Sequence, residues 1–197
     1  HMKKAYFLIL TIFIWMAVPA SRAFGHIISS DLGHSYGTIY TVLYFIAKII
    51  PFIGLGILAQ FPARKIGLPK LLWEFFVMLG AGIVLGYYFH DYFSTAYFNY
   101  FLTVVIGFLI IFYSGKQIAA IRSFIILSCL PLGFEFGLHF GHADAWLSYM
   151  IAICLTSIAV FMGFSLLFIK LDVGYRWVQQ TIGILLVIAG ILLILLF

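Results

Sequence analysis

The sequence predicts an all-α fold, a polytopic bundle of membrane helices, on the strength of three observations. Hydrophobic residues make up 65% of the 197-residue chain and charged residues only 9%, a balance that leaves no soluble reading. Apolar runs approaching the roughly 20 residues that cross a bilayer as helix recur along its length. The basic residues are dispersed at the ends of these runs rather than gathered in a stripe, so the formal charge of +5 reports orientation in a membrane and not nucleic-acid binding. The expected architecture is six transmembrane helices plus an N-terminal signal or seventh hydrophobic helix. Residues 1–23 read as a tag remnant and signal peptide, and 24–197 as a single transmembrane domain.

His1 precedes Met2 as a cloning remnant would. Lys3 and Lys4, the apolar run Ala5 to Val18, and Pro19-Ala20-Ser21-Arg22-Ala23 match the three regions of a secretory signal, and the apolar run is short for a permanent span. From Phe24 to Ser35 the chain turns polar and carries His26, Asp31 and His34. Tyr36 to Phe61 forms the next span, with Pro51 inside it and Pro62-Ala63-Arg64-Lys65 after it. Lys48 falls near its middle, where a charge needs a partner or a wet cavity; Glu74 on the next helix is the candidate partner, and snorkelling of the lysine is the plain alternative. The span Leu68 to Phe89 contains Gly80, Gly82 and Gly86, and His90-Asp91 opens a polar aromatic loop. Tyr97 to Tyr113 spans back to Lys116 and Arg122. A helix ending near Gly141 follows, then Trp146 to Ile169, a break at Lys170, Asp172, Gly174 and Arg176, and a last span from Val178 to Phe197. Cys129 and Cys154 lie in apolar runs as small hydrophobes, and no disulfide framework or cysteine zinc motif is present.

Chemistry concentrates between Pro131 and Asp144. Gly133, Gly137 and Gly141 recur every four residues and form a smooth ridge on which a neighbouring helix can pack closely, with the Gly82/Gly86 pair as its expected partner. Glu135, His139 and His142 fall at i, i+4 and i+7; two residues turn a helix by about 200°, so this stripe lies opposite the ridge. Pro131 removes a donor from the Leu127 carbonyl, which predicts a kink just before the stripe. The plain structural alternative is a buried Glu–His pair that only fixes packing. Arg64, Lys65 and Lys70, then Lys116 and Arg122, then Lys170 and Arg176 occupy alternate connections and are expected on the cytoplasmic side of the cell (inner) membrane. His26, His34, His90, His139 and His142 then collect on the exoplasmic side, with Glu135 about a turn deeper.

Imidazole with carboxylate suits borderline divalent ions such as nickel, cobalt, zinc or copper better than magnesium or calcium. The candidate metal ligands are His26, Asp31, His34, Glu135, His139, His142 and Asp144. A cut after Ala23 would start the mature chain Phe24-Gly25-His26, whose amine, amides and imidazole can hold Ni(II) or Cu(II) in a plane. Two other readings compete: a haem-binding membrane cytochrome with axial histidines, and an accessory membrane protein that transports nothing. No His-Glu-x-x-His motif argues for an intramembrane enzyme. The expected partners are the metal ion as substrate and the lipid bilayer, with homo-oligomerisation open.

The stretches His26-Ile-Ile-Ser-Ser-Asp31-Leu-Gly-His34, Met78-Leu-Gly-Ala-Gly-Ile-Val-Leu-Gly86, Leu138-His-Phe-Gly-His-Ala-Asp144 and Thr181-Ile-Gly to Ala189-Gly190 carry a resemblance. In layout the chain resembles the HupE/UreJ family of small membrane proteins associated with nickel supply to hydrogenase and urease. The resemblance implies a signal peptide, six spans, metal-ligand roles for His26, His34, His139 and His142, and a nickel permease function. The chain departs from the family's motifs: no proline follows His26, Asp31 is not adjacent to His34, and Asp144 stands where a histidine is usual.

Overall fold

The computed structural model describes residues 38–89, 96–113, 117–138, 146–170 and 176–196. They form six α-helices: α1 (Thr38–Ile66), α2 (Leu68–Tyr88), α3 (Ala96–Phe112), α4 (Ile118–Leu138), α5 (Trp146–Lys170) and α6 (Arg176–Leu196). Over Ile46–Ile66, Leu68–Tyr88, Ile118–Leu138 and Arg176–Leu195 these helices are long and apolar enough to cross a membrane. Phe98–Phe112 and Cys154–Lys170 are shorter apolar helices. The described residues are all-helical, and their long apolar helices are those of a membrane protein.

The first described helix is longer than the sequence predicts. Instead of stopping at Phe61 it runs through Pro62, Arg64 and Lys65 to Ile66. It ends where Gly67 adopts a φ of 86° and donates its N–H to the Ala63 carbonyl at 2.9 Å. A positive φ is cheap only for glycine, so Gly67 both stops α1 and starts α2, with Pro69 in the first turn of the new helix. Helix α4 is likewise continuous across Pro131.

Consecutive helices alternate in direction, and glycines set the close contacts between them. Parallel α2 and α4 meet backbone to backbone: Gly82 lies on the Leu130 carbonyl, Gly86 on that of Phe134, Gly133 on that of Leu79 and Gly137 on that of Ile83. This is the docking of the two glycine patterns that the sequence predicts. Antiparallel α3 and α6 approach at Gly107 and Gly183, each against the other's carbonyl, and again where Gly190 meets Tyr100. Helix α1 is the hub. Its span is 78% buried, against 22–39% for the other three long spans. Gly54 receives Ile106 of α3, and Gly56 receives Phe161 of α5.

The outer faces of α2 and α6 are apolar, with Phe76, Val84, Leu185, Ile188 and Leu192 exposed. Trp73 and Trp177 stand exposed near the helix ends that carry Lys70 and Arg176, the place an aromatic belt occupies at a bilayer surface. We call this the basic end; it also holds Arg64, Lys65 and Lys170.

Candidate functional site: an ion pair inside the bundle

Lys48 of α1 and Glu135 of α4 form a salt bridge in the interior, with residue exposures of 3% and 1%. Local sequence puts them there. Gly133 and Gly137 must face α2, and Glu135, two residues from each, therefore turns about 200° away toward α1. Lys48 meets it from the hub helix. Two charges at this depth are tolerated because each compensates the other.

The pairing corrects the expectation that Glu74 partners Lys48. In the α1–α2 hairpin Lys48 lies 19 residues before Gly67 and Glu74 seven after it. The two residues are thus offset by roughly 18 Å along the axis at 1.5 Å per residue. Glu74 instead accepts a two-pronged contact from Arg122 of α4, through Nε at 2.9 Å and through Nη2. That pair is half-buried and near the basic end.

Around the interior pair the bundle supplies further polar groups. The Tyr100 ring of α3, almost fully buried, has its centroid 6.0 Å from Lys48 Nζ. Neighbouring Asn99 and Thr103 are completely buried; the Thr103 hydroxyl donates to the Asn99 carbonyl at 2.8 Å. The Lys48–Tyr100 and Gly54–Ile106 contacts share one register between parallel α1 and α3, which sets Asn99 level with Ala47 and Thr103 level with Pro51. On α5, Thr156 and Ser157 are also buried. Among the described residues, the Asn99 carboxamide and the Ser157 hydroxyl find no hydrogen-bond partner.

Toward the basic end the interior turns apolar. Phe52, one turn from Lys48, stacks on Phe136 with centroids 5.8 Å apart and meets Phe75 edge-on at 5.9 Å; Phe75 stacks on Phe161 at 4.2 Å. Beyond this cluster a second polar point appears, where Gln179 of α6 donates to Gln60 at 3.4 Å and Gln60 donates to the Ile57 carbonyl at 2.9 Å. Ser165 of α5 donates to the Gly56 carbonyl at 3.1 Å.

The chain matches no family model, no curated protein and no solved structure. Of the seven candidate ligands, Glu135 is placed in the interior, while His26, Asp31, His34, His139, His142 and Asp144 lie outside the described residues, as does the N-terminal segment 1–23. Among the described residues no group of three or more His, Cys, Asp or Glu side chains is gathered to hold a metal ion. The arrangement that is described, a buried carboxylate with a flexible ammonium on it and an aromatic ring beside that ammonium, can exchange one cation for another at the carboxylate. Sequence reasoning missed Tyr100, Asn99 and the Gln60–Gln179 pair. The carboxamides were legible as polar groups inside apolar runs; Tyr100 was not, because an aromatic in a membrane helix is ordinarily packing.

Proposed function

We propose that the chain is a multi-pass permease for a divalent transition-metal ion, nickel first, with cobalt, copper and zinc as chemical relatives. In this reading six helices span the cell (inner) membrane behind an N-terminal signal, and the basic end faces the cytoplasm by the positive-inside rule. The observation that carries the proposal is the burial of Glu135 against Lys48 inside the bundle, because intramembrane ionisable groups mark ion pathways by default. His139 and His142 continue the same helical stripe in sequence and would hand an ion from the exoplasmic mouth to Glu135. The layout resemblance to HupE/UreJ proteins supports the same reading, with the chain as a divergent member. Membrane potential suffices as a drive: a divalent ion moving inward gains roughly 4.6 kcal/mol per 100 mV.

A second reading draws on the same pair. A carboxylate neutralised by a lysine is also what a purely structural strut in a non-transporting accessory protein requires. Nickel uptake in a metal-starved host separates the two. The permease reading expects Glu135→Gln to abolish uptake while the protein persists in the membrane in amounts comparable to wild type. Normal uptake by Glu135→Gln makes the pair a strut. A haem absorbance in purified protein would replace both readings with a cytochrome.

A further inference from the structure

We infer that Lys48 selects cations by charge: its ammonium is a tethered competitor at Glu135 that a divalent ion displaces and a monovalent ion does not. The inference rests on the permease reading and adds to it the residue that sets which ions pass. The Lys48 ammonium already sits on the Glu135 carboxylate. Exchanging it for sodium or potassium trades one unit charge for another at the same oxygens, so attraction to the carboxylate gains nothing while the ammonium loses its partner. A divalent ion at the same distance doubles that attraction. The exchange is then favourable only for the doubly charged ion.

The displaced ammonium has somewhere to go. Tyr100 presents its ring 6.0 Å from Nζ and is almost completely buried, and cation–π attraction is strongest at a desolvated site. Next to it on α3, Asn99 carries a fully buried carboxamide oxygen that accepts no hydrogen bond among the described residues. The lysine side chain is a flexible four-carbon stem, so its head can swing from Glu135 toward α3 without backbone movement and with its proton retained. Charge is conserved through the exchange. The empty site holds one negative and one positive charge, and the loaded site holds those two plus the ion. The resulting net charge of about +2 in a low-dielectric interior disfavours long residence, which suits passage rather than storage.

Proteoliposomes holding a negative-inside potential test this with nickel and rubidium as the two probes. Wild type is expected to admit nickel and exclude rubidium. Lys48→Gln keeps an N–H donor for Glu135 but removes the charge, and should raise rubidium influx about tenfold or more. Lys48→Arg keeps the charge and should keep the exclusion. Tyr100→Leu should slow nickel turnover several-fold with rubidium still excluded, and Tyr100→Phe should restore it. If wild type admits nickel but Lys48→Gln admits no more rubidium than wild type, the inference is overturned and the permease reading stands. If wild type admits no divalent ion, the permease reading fails and takes this inference with it. A variant that does not fold leaves a measurement on wild type. With ¹⁵N-lysine labelling, zinc should shift the one Nζ signal that is missing from Lys48→Arg, and a spectrum unmoved by saturating zinc overturns the proposal.

Discussion

Replacing Gly86 by alanine tests the packing that aims Glu135 into the bundle. A Cβ built at Gly86 lands on the Phe134 carbonyl oxygen, with the Phe134 carbonyl carbon at 2.8 Å and the Gly137 Cα at 3.0 Å. All three are backbone atoms, so no rotamer change relieves the collision; α2 and α4 must part by roughly an ångström to restore the ~3.3–3.6 Å of a Cα–H···O contact. Gly80, on the same helix, has open space where its Cβ would stand. Both substitutions gain about 1 kcal/mol of helix propensity, so that gain cancels when the two are compared. What remains is the steric penalty, about 1–3 kcal/mol for a forced insertion into a packed interior. Gly82→Ala meets the Leu130 carbonyl in the same interface, and once the helices have parted for one methyl the second adds little, so the double variant should be less destabilised than the sum. Reversible unfolding in mixed micelles, with Gly80→Ala as reference, reads these differences directly. Equal unfolding midpoints for Gly86→Ala and Gly80→Ala would refute the close packing of α2 on α4.

Removing one partner of the interior ion pair, as in Lys48→Leu, should cost about 3–5 kcal/mol, whereas Lys48→Leu with Glu135→Leu should be near neutral or more stable than wild type; the same unfolding assay checks this, and a double variant as unstable as the single one would place the cost elsewhere. His139→Ala should weaken nickel affinity, measured by titration of purified protein, more than His90→Ala does, because His139 follows Glu135 by four residues in sequence and His90 belongs to a different connection; equal losses would move the entry site. Histidine ligands bind metal only when neutral, so affinity should hold above their ordinary pKa of about 6.5 and fall as pH drops through ~6.5 to 5.5. Affinity that stays flat across that window would indicate coordination by carboxylates alone.

The helical class was legible because apolar runs and their breaks are one-dimensional signals. The α2–α4 interface was legible too, since glycines four residues apart at Gly82/Gly86 and Gly133/Gly137 admit a close backbone approach wherever they meet. The partner of Lys48 was not. Glu74 stood out as the acid on the next helix, but a hairpin places residues by their distance from its turn, and the position of Glu74 near Gly67 sends it toward Arg122. Simple counting from Gly67 excludes the Lys48–Glu74 pair, yet it cannot select Glu135, because that choice depends on how α4 docks against α1. The end of α1 was misjudged for a related reason. Pro62 looks like a stop, but the helix continues to Gly67, which adopts the positive φ that ends it.

The ion pair also orders the birth of the protein. Glu135 follows Lys48 by 87 residues, which at ribosomal rates of 5–20 residues per second is a wait of about 4–17 s. Until α4 arrives, α1 must enter the bilayer with an uncompensated ammonium, at a cost of roughly 2.5–3.5 kcal/mol near a helix centre. The long stem of Lys48 can lower that cost by snorkelling toward the headgroups, and the remaining apolar residues of α1 carry the insertion. The hub helix of the finished bundle thus completes its interior contacts only after α4 has been made. Its final position is fixed when a later helix brings the carboxylate that draws Lys48 inward.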